Sequence, residues 1–436
     1  MPQINAQRLL ADMRELRAIG GAPNHPLGVI RPTYSDADMR SRQWLVEKLE
    51  AAGLHAMIDG VGNVLGRSRR PGRAVLLGSH TDTQPNGGWL DGAMGVVYGL
   101  EVARALAEDP TTAHLPVDVA SFADEEGTYY GMIGSLSFCN ELDEARVETA
   151  IGNAGATGSE PLRDALRRTE LAGRPRLQLG QAELSGRYAA FLEAHIEQGP
   201  YLEIERKQIG VVTGIVGLRI RFLHFHGEQN HAGTTPMHMR KDAGMAAVRL
   251  GAAINSAFQR VAGDKSVWTF GEVKFEPGSH SIVPGHAVLC LQWRDQDEAV
   301  LDAMEGELTR LVAASNSDGS GVRVEVHVED NKEGAPCDVQ LQDIMAAAAE
   351  KRGASWARMP SGAAHDAQVL ANHMPTAMLF VPSIKGISHN FEENTADDDL
   401  VMGCAVFCDT TAEVARRAQL GSNLQDKSSA NARAKL

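Results

Sequence analysis

A chain of 436 residues, 43% of them hydrophobic, can bury a sizeable core and is long for a single domain, so two or three domains are expected. Its 42 basic and 56 acidic residues give a formal charge of −14, which argues against nucleic acid or an anionic membrane as a general partner and leaves room for a local basic pocket. No apolar segment opens the chain at Met1-Pro2-Gln3-Ile4, and no apolar run reaches the roughly eighteen residues of a membrane span, so the cytoplasm is the default location. Cys139, Cys290, Cys337, Cys404 and Cys408 form no Cys-x-x-Cys pair; their odd number fits a reducing compartment, and they read as small buried hydrophobes.

In chain order, Ala6 to Ile19 and Asp36 to Ala52 have helical periodicity, with Leu45, Val46 and Leu49 on one face of the second. The turn-rich loop Asn24-His25-Pro26-Leu27-Gly28 lies between them, and its His25 reads as a solvated loop residue. Arg73 to Leu77 is an apolar run of buried-strand type that delivers His80 and Asp82, within Gly78-Ser79-His80-Thr81-Asp82-Thr83, to a loop at its carboxyl end. Asp91-Gly92 follows, then a helix from Gly95 to Ala107, then a strand from Val117 to Phe122 that ends at Asp124-Glu125-Glu126-Gly127. This is a βαβ unit. Parallel strands put their carboxyl ends on one edge of the sheet, so His80, Asp91, Glu125 and Glu126 are expected to converge in the crevice there.

From Leu142 to Gly186 the chain is polar with short helical pieces and no evident chemistry, and Phe191 to Pro200 then carries His195 beside carboxylates. The texture changes near residue 210. Ile209 to Phe225 is rich in Val, Ile and Phe, Asp242 to Ala257 and Asp297 to Ala314 are helical, and Ala287 to Trp293 and Val322 to Val328 alternate as strands. In the last of these the valines define a buried face, which leaves His327 on a wet one. These elements make an α+β insert able to fold as its own domain. Beyond Asp330 the α/β pattern resumes: a helix from Leu341 to Lys351, Ser361-Gly362-Ala363-Ala364-His365-Asp366-Ala367, a buried strand from Thr376 to Val381, and the loop Ser388-His389-Asn390-Phe391-Glu392-Glu393. Thr395 and three aspartates then open a final helix, as an N-cap and a helix dipole favour. The Ser/Asn/Lys/Ala-rich end of the chain reads as disordered.

A hydrolase site with two divalent cations about 3.5 Å apart needs a shared carboxylate, several imidazoles, and one carboxylate left free as the base. Glu125-Glu126 supplies both a ligand-type and a free carboxylate, and Asp82, two residues from His80, can fix the imidazole tautomer. Gly78 to Thr83, Leu90-Asp91-Gly92, Asp124 to Gly127, Ala194-His195-Ile196-Glu197-Gln198-Gly199-Pro200, Asn230-His231-Ala232-Gly233-Thr234-Thr235-Pro236-Met237 and Gly386-Ile387-Ser388-His389-Asn390 together resemble the hydantoinase/carbamoylase branch of the M20 metallopeptidase-like amidohydrolases. The match runs from about Ile4 to Ala418.

That resemblance implies an α/β catalytic domain with a mixed sheet and a di-metal site, in two chain segments, 1–210 and 331–418. It also implies a smaller α+β dimerisation or lid domain at 211–330; beyond the resemblance, 419–436 reads from its composition as a disordered tail. His80, Asp91 and His195 would hold one cation and Asp91, Glu126 and His389 the other, two divalent ions (Zn, Mn, Co or Ni) per subunit, with Glu125 the general base. Gln198 and His231 would serve the ureido group, His231 from the neighbouring subunit of a homodimer, Asn230 would also contact the substrate, and Arg219 and Arg294 would receive its carboxylate. The implied reaction cleaves the ureido C–N bond of a small anionic N-carbamoyl amino acid or related ureido acid. Allantoate, ureidoglycolate or an N-acyl amino acid are the alternative substrates. Two positions beside the expected anion depart from the branch: Ser281 stands where Asn is usual, and Ala364 where Gly is usual. They bear on the substrate rather than on the reaction class.

Overall fold

The computed structural model describes residues 2–421. The chain divides into two compact units, one built from the segment up to Thr213 and the segment from Pro336 onward, the other from Gly214–Ala335. The end read as disordered lies, from residue 422, outside the described residues.

The first unit is α/β with a mixed sheet. At its centre Val117–Phe122, Ala74–His80, Tyr188–Ile196 and Thr376–Val381 run parallel in that spatial order. Every residue of these four strands is buried, as expected when layers cover both faces of a parallel sheet. Antiparallel strands flank them, Val64–Arg67 and His55–Ile58 on one side and Ile209–Ile215 on the other. The helices Ala6–Ala18, Ala93–Glu108, Val339–Arg352 and Asp397–Gln419 contribute to one core with these strands, through Leu9, Leu100, Leu341 and Phe407. The register pairs His80 with Phe122 and His195 with Phe380, so the carboxyl ends of all four central strands open on one edge.

The polar stretch from Leu142 to Gly186 also folds into this unit: Leu142, Val147, Leu162, Leu166 and Leu171 close a satellite core with Tyr34 and Tyr129. The final helix starts one residue later than its sequence pattern suggests. Its N-cap is Ala396 and its first turn holds Asp397, Asp398 and Asp399, while Thr395 does not cap it, because its hydroxyl donates instead to the Pro382 carbonyl at 2.7 Å.

In the second unit an antiparallel sheet in the order Arg323–Lys332, Gly217–His226, His286–Asp295, Val267–Glu276 is backed on one face by the helices Ala243–Val261 and Glu298–Asn316. Leu223, Phe225, Leu291, Trp293, Ile254, Phe258 and Met304 form its core. Arg323–Lys332 is an edge strand, so only the start of its valine face is covered: Val324 is 4% exposed, Val326 39% and Val328 56%. His327 is exposed, as its alternation suggests.

Candidate metal centre

Three of the central strands end at His80, at the turn leading to Glu125 and Glu126, and at His195, and the loop after the fourth carries His389. Asp91 stands just before the helix Ala93–Glu108, whose N-terminal end favours an anion. These side chains converge on two groups, His80, Asp91 and His195, and Asp91, Glu126 and His389. Within each group the ligand atoms lie within 4.8 Å of one another. Asp91 belongs to both through different oxygens. Its Oδ1 is 3.1 Å from His195 Nε2 and 3.5 Å from His80 Nε2, and its Oδ2 is 3.2 Å from His389 Nε2. Glu126 Oε2 lies 3.4 Å from the same His389 nitrogen. Glu125 Oε2 is 3.5 Å from His80 Nε2 and belongs to neither group.

The backbone aims these imidazoles. Nδ1–H of His80 donates to the Asp82 carbonyl at 3.0 Å and that of His195 to the Ile196 carbonyl at 2.8 Å, so each ring turns Nε2 toward Asp91. This corrects the expectation for the Asp82 carboxylate. The chain bends after His80 and brings in the carbonyl, whereas the carboxylate Oδ1 stays 3.7 Å from the ring. Its Oδ2 accepts from the Thr33 hydroxyl at 2.8 Å and the Glu126 N–H at 3.3 Å. Asp82 thus steadies the loop of Glu126 rather than the ring of His80. Gly92, at φ +63°, is required: a Cβ there would lie 2.3 Å from the His80 ring.

The electrostatics fit cations. Burial, with Glu126 adding like charge, pushes the Glu125 carboxyl well above its usual range; burial and Asp91 push Glu126 to about 7. Burial also opposes ionisation of Asp91, but the imidazoles of His195, His389 and His80 around it hold its carboxyl well below the usual range. Three carboxyl groups, those of Asp91, Glu125 and Glu126, thus crowd one buried place beside the imidazoles, a charge that shared protons or metal ions would offset. The buried Nε2 of His80 has no hydrogen-bond partner and faces two carboxylates. Imidazole and carboxylate donors of this kind suit Zn, Mn, Co or Ni.

Several neighbours escaped the sequence reading. Gln84 donates from its side chain to Glu126 Oε2 at 2.9 Å. Arg31, wholly buried, donates to the Thr81 carbonyl at 2.6 Å, beneath the loop between His80 and Asp82. Neither has a sequence signal, since each acts through the backbone or a single partner far along the chain. Asp124, at φ +58°, gathers the N–H groups of Tyr129, Tyr130 and Gly131 and so fixes the turn carrying Glu125 and Glu126. Gln198, also in the left-handed region at φ +58°, donates to Asp91 Oδ2 at 2.9 Å. Such strained residues gather at sites whose surroundings over-determine them. His365 is buried with its ring centroid 4.5 Å from that of His195, and the half-buried Ala364 precedes it. His25 belongs to neither metal group: it pairs with Glu392 at 2.9 Å and stacks on Phe391.

In the second unit a two-strand ladder pairs His231 with Ile282 and Asn230 with Val283, and the Ser281 carbonyl accepts from the Ala232 N–H at 2.9 Å. The exposed His231 ring accepts at Nδ1 from the N–H groups of Gly233 and Thr234, at 3.0 and 3.1 Å, which places its proton on Nε2. Asn230 Oδ1 accepts from the His231 N–H at 2.8 Å, so this side chain is turned onto its own loop. Arg240 holds that loop through the carbonyls of Ala232 and Thr235.

The two arginines read as an anion clamp do not converge. Arg219 pairs across the sheet with Trp293, and Arg294 with Leu218, which puts their side chains on opposite faces. Arg219 lies on the helix side, bound to Asp302 at 2.6 Å and Glu298 at 3.3 Å. Arg294 lies on the other face beside Gln292, where burial lowers its pKa.

Known proteins resemble the chain throughout its length. The family described as Peptidase family M20/M25/M40 matches residues 76–413. The chain is 32% identical over 413 residues to an N-carbamoyl-L-amino-acid amidohydrolase of Paenarthrobacter aurescens, covering 93% of this chain and 97% of that protein. It is 33% identical over 384 residues to the allantoate amidohydrolase of Escherichia coli (strain K12), covering 86% and 90%. The crystal structure of an amidase of the hydantoinase/carbamoylase family from Burkholderia phymatum superposes with a TM-score of 0.88 at 46% identity, covering 96% of this chain and 99% of that one.

Proposed function

The chain belongs to the M20/M25/M40 family, among its hydantoinase/carbamoylase amidohydrolases, and from that premise we propose that it cleaves the ureido C–N bond of a small N-carbamoyl amino acid or related ureido acid. The observation that carries the proposal is the double role of Asp91, one oxygen directed to each ligand group, with Glu125 beside both and in neither. His80, Asp91 and His195 would hold one divalent cation and Asp91, Glu126 and His389 the second. Such a pair, when bound, supplies Lewis acidity toward a carbonyl oxygen and makes a water easier to deprotonate.

The chain's own groups do the rest. Glu125 takes a proton from the attacking water and returns it to the leaving nitrogen, so that hydroxide is added to the ureido carbon and hydrogen to the amine. Gln198, anchored at Asp91, offers its amide to the ureido group. His231 donates from Nε2 to the ureido oxygen as negative charge grows there, and it does so in the site of a second copy, which makes the working form a homodimer. Arg294 alone receives the substrate carboxylate, with the fork geometry that guanidinium brings to such an anion. Ser281, in place of the branch's usual Asn, leaves that end without an amide donor, Ala364, in place of Gly, adds a methyl group, and we read the two as selecting an acid of different size.

The test is a panel of N-carbamoyl amino acids, allantoate, ureidoglycolate and N-acyl amino acids, each assayed with Zn, Mn, Co and Ni. The proposal expects the highest kcat/KM among the carbamoyl and ureido acids. Faster turnover of N-acyl amino acids than of every ureido compound would overturn it in favour of an aminoacylase.

A further inference from the structure

We propose that Glu393 is a positioning residue for the second cation group, acting through Ser388 and through the backbone of Leu90 and Asp91. The inference rests on the reading above that Asp91, Glu126 and His389 hold a cation. Glu393 has no solvent exposure. Its Oε1 accepts the N–H groups of Leu90 and Asp91, each at 3.0 Å, and its Oε2 accepts the Ser388 hydroxyl at 2.8 Å. One carboxylate therefore binds the loop that carries the shared ligand Asp91 to the loop that carries His389, two segments about three hundred residues apart in sequence.

The two groups differ in how much they need such a tie. His80 and His195 lie on strands of the buried sheet, so the sheet itself sets their places. His389 lies outside every helix and strand, at φ +51° and with its side chain 49% exposed. The loop's other end must hold it. Glu393, four residues on, closes a turn onto the Asn390 carbonyl at 3.0 Å and fixes that loop against Asp91. The approach is tight: a Cβ on Gly88 would lie 2.0 Å from Glu393 Oε1, so the Asp91 loop comes this near only with glycine there.

Ser388 extends the contact to the ligand carboxylate. Its Oγ lies 3.2 Å from Asp91 Oδ2 as well as 2.8 Å from Glu393, and a hydroxyl has one hydrogen for these two acceptors. The shorter contact assigns that hydrogen to Glu393. The hydroxyl is thereby held beside the Asp91 oxygen that faces His389, and it also accepts from the Gln198 amide at 3.3 Å.

Wild-type protein, Glu393→Gln and Ser388→Ala, each stripped by chelator and checked for native circular dichroism, are titrated with Mn²⁺ by calorimetry. Spin coupling between paired Mn²⁺ ions is then read by electron paramagnetic resonance. The inference predicts two sites in the wild type. In Glu393→Gln it predicts a second site weakened by roughly tenfold or more, the usual scale for a lost partner of a metal ligand, a first site, which shares Asp91, weakened clearly less, and the coupled signal lost at two ions per chain. Ser388→Ala should weaken the same site less. Equal weakening of both sites, or both retained within about twofold, overturns the inference. If Glu393→Gln does not fold, Ser388→Ala decides, and a wild-type second site in that variant overturns it. A wild type that binds fewer than two ions removes the two-cation reading itself, a failure distinct from the other results.

Discussion

Replacing Arg219 and Arg294 separately by alanine should give opposite phenotypes, although the two arginines look alike in the sequence. Arg294 is mostly buried, on the face of its sheet away from the helices, beside Gln292. Removing one partner of a buried, charge-assisted contact costs about 2–5 kcal/mol, which at about 1.4 kcal/mol per decade is a rise in KM of roughly 30- to 4,000-fold. Arg219 faces the helix Glu298–Asn316, where Asp302, Glu298 and Glu305 approach it at 2.6, 3.3 and 3.9 Å with their side chains 71%, 44% and 29% exposed. Water screens partners this open, so Arg219→Ala should cost about 1–2 kcal/mol of stability through these pairs and its buried stem. It should leave KM within about twofold, since it touches nothing on the substrate side. Steady-state kinetics on the best N-carbamoyl substrate and urea unfolding, run on both variants, separate the effects. An Arg219→Ala enzyme with wild-type stability and a KM raised as far as in Arg294→Ala would refute the assignment of faces and return Arg219 to the anion.

Three further outcomes follow from other parts of the molecule. Gly92→Ala should lower metal content, because its Cβ would stand 2.3 Å from the His80 ring, while Gly186→Ala, with nothing within 4 Å, should bind metal as the wild type does; equal metal content in both would contradict the geometry. Burial pushes the Cys337 and Cys408 thiols to about 12 and raises those of Cys404 and Cys139, so at pH 8 a thiol reagent should label at most Cys290 in the native protein and all five cysteines in denaturant; two or more fast native thiols would be the contrary result. The Arg168 hydrogen bonds hold the Glu160 carboxyl below its ordinary value, so their stabilisation is present above the unfolded pKa and lost as pH falls through the folded one. Arg168→Gln should therefore be less stable than wild type at pH 7 by up to about 1 kcal/mol, Arg168 being half open to solvent, and the difference should shrink on the acid side of the usual glutamate range of about 4.3 to what the Arg168 contact with the Tyr34 carbonyl contributes.

The candidate metal-binding residues were legible because they lie on, or in loops beyond, strands whose signal is strong. Val117–Phe122 and Thr376–Val381 appear with the bounds their apolar runs suggest, and a parallel strand announces where its carboxyl end will be. What the sequence could not show was which way a side chain faces. In Gly217–His226 the pattern is inverted: Leu218, Ile220 and Phe222 point away from the helices, whereas Arg219 and Arg221 point toward them, paid for by Glu298, Asp302 and Glu305 some eighty residues later. Alternation gives the period but not the sign. The outward valines Val326 and Val328 have the same origin, since nothing local says that a strand will be an edge. Asp82 shows a third limit: a carbonyl and a carboxylate on one residue are equally near His80 in sequence, and only the bend after the strand chooses between them. Glu393 and Gln84 needed the fold altogether, because their partners lie on distant loops.

The most direct test of the central claim is Glu125→Gln, a change of one carboxylate oxygen to an amide beside both ligand groups and inside neither. Metal content by atomic emission, binding of a competitive inhibitor by calorimetry, and turnover of the best ureido substrate would be measured on the same preparation. The account predicts two cations per chain, inhibitor affinity within about threefold of wild type, and hydrolysis lower by roughly a hundredfold or more, the loss expected of a missing general base. Turnover near the wild-type rate with both metals in place would contradict it.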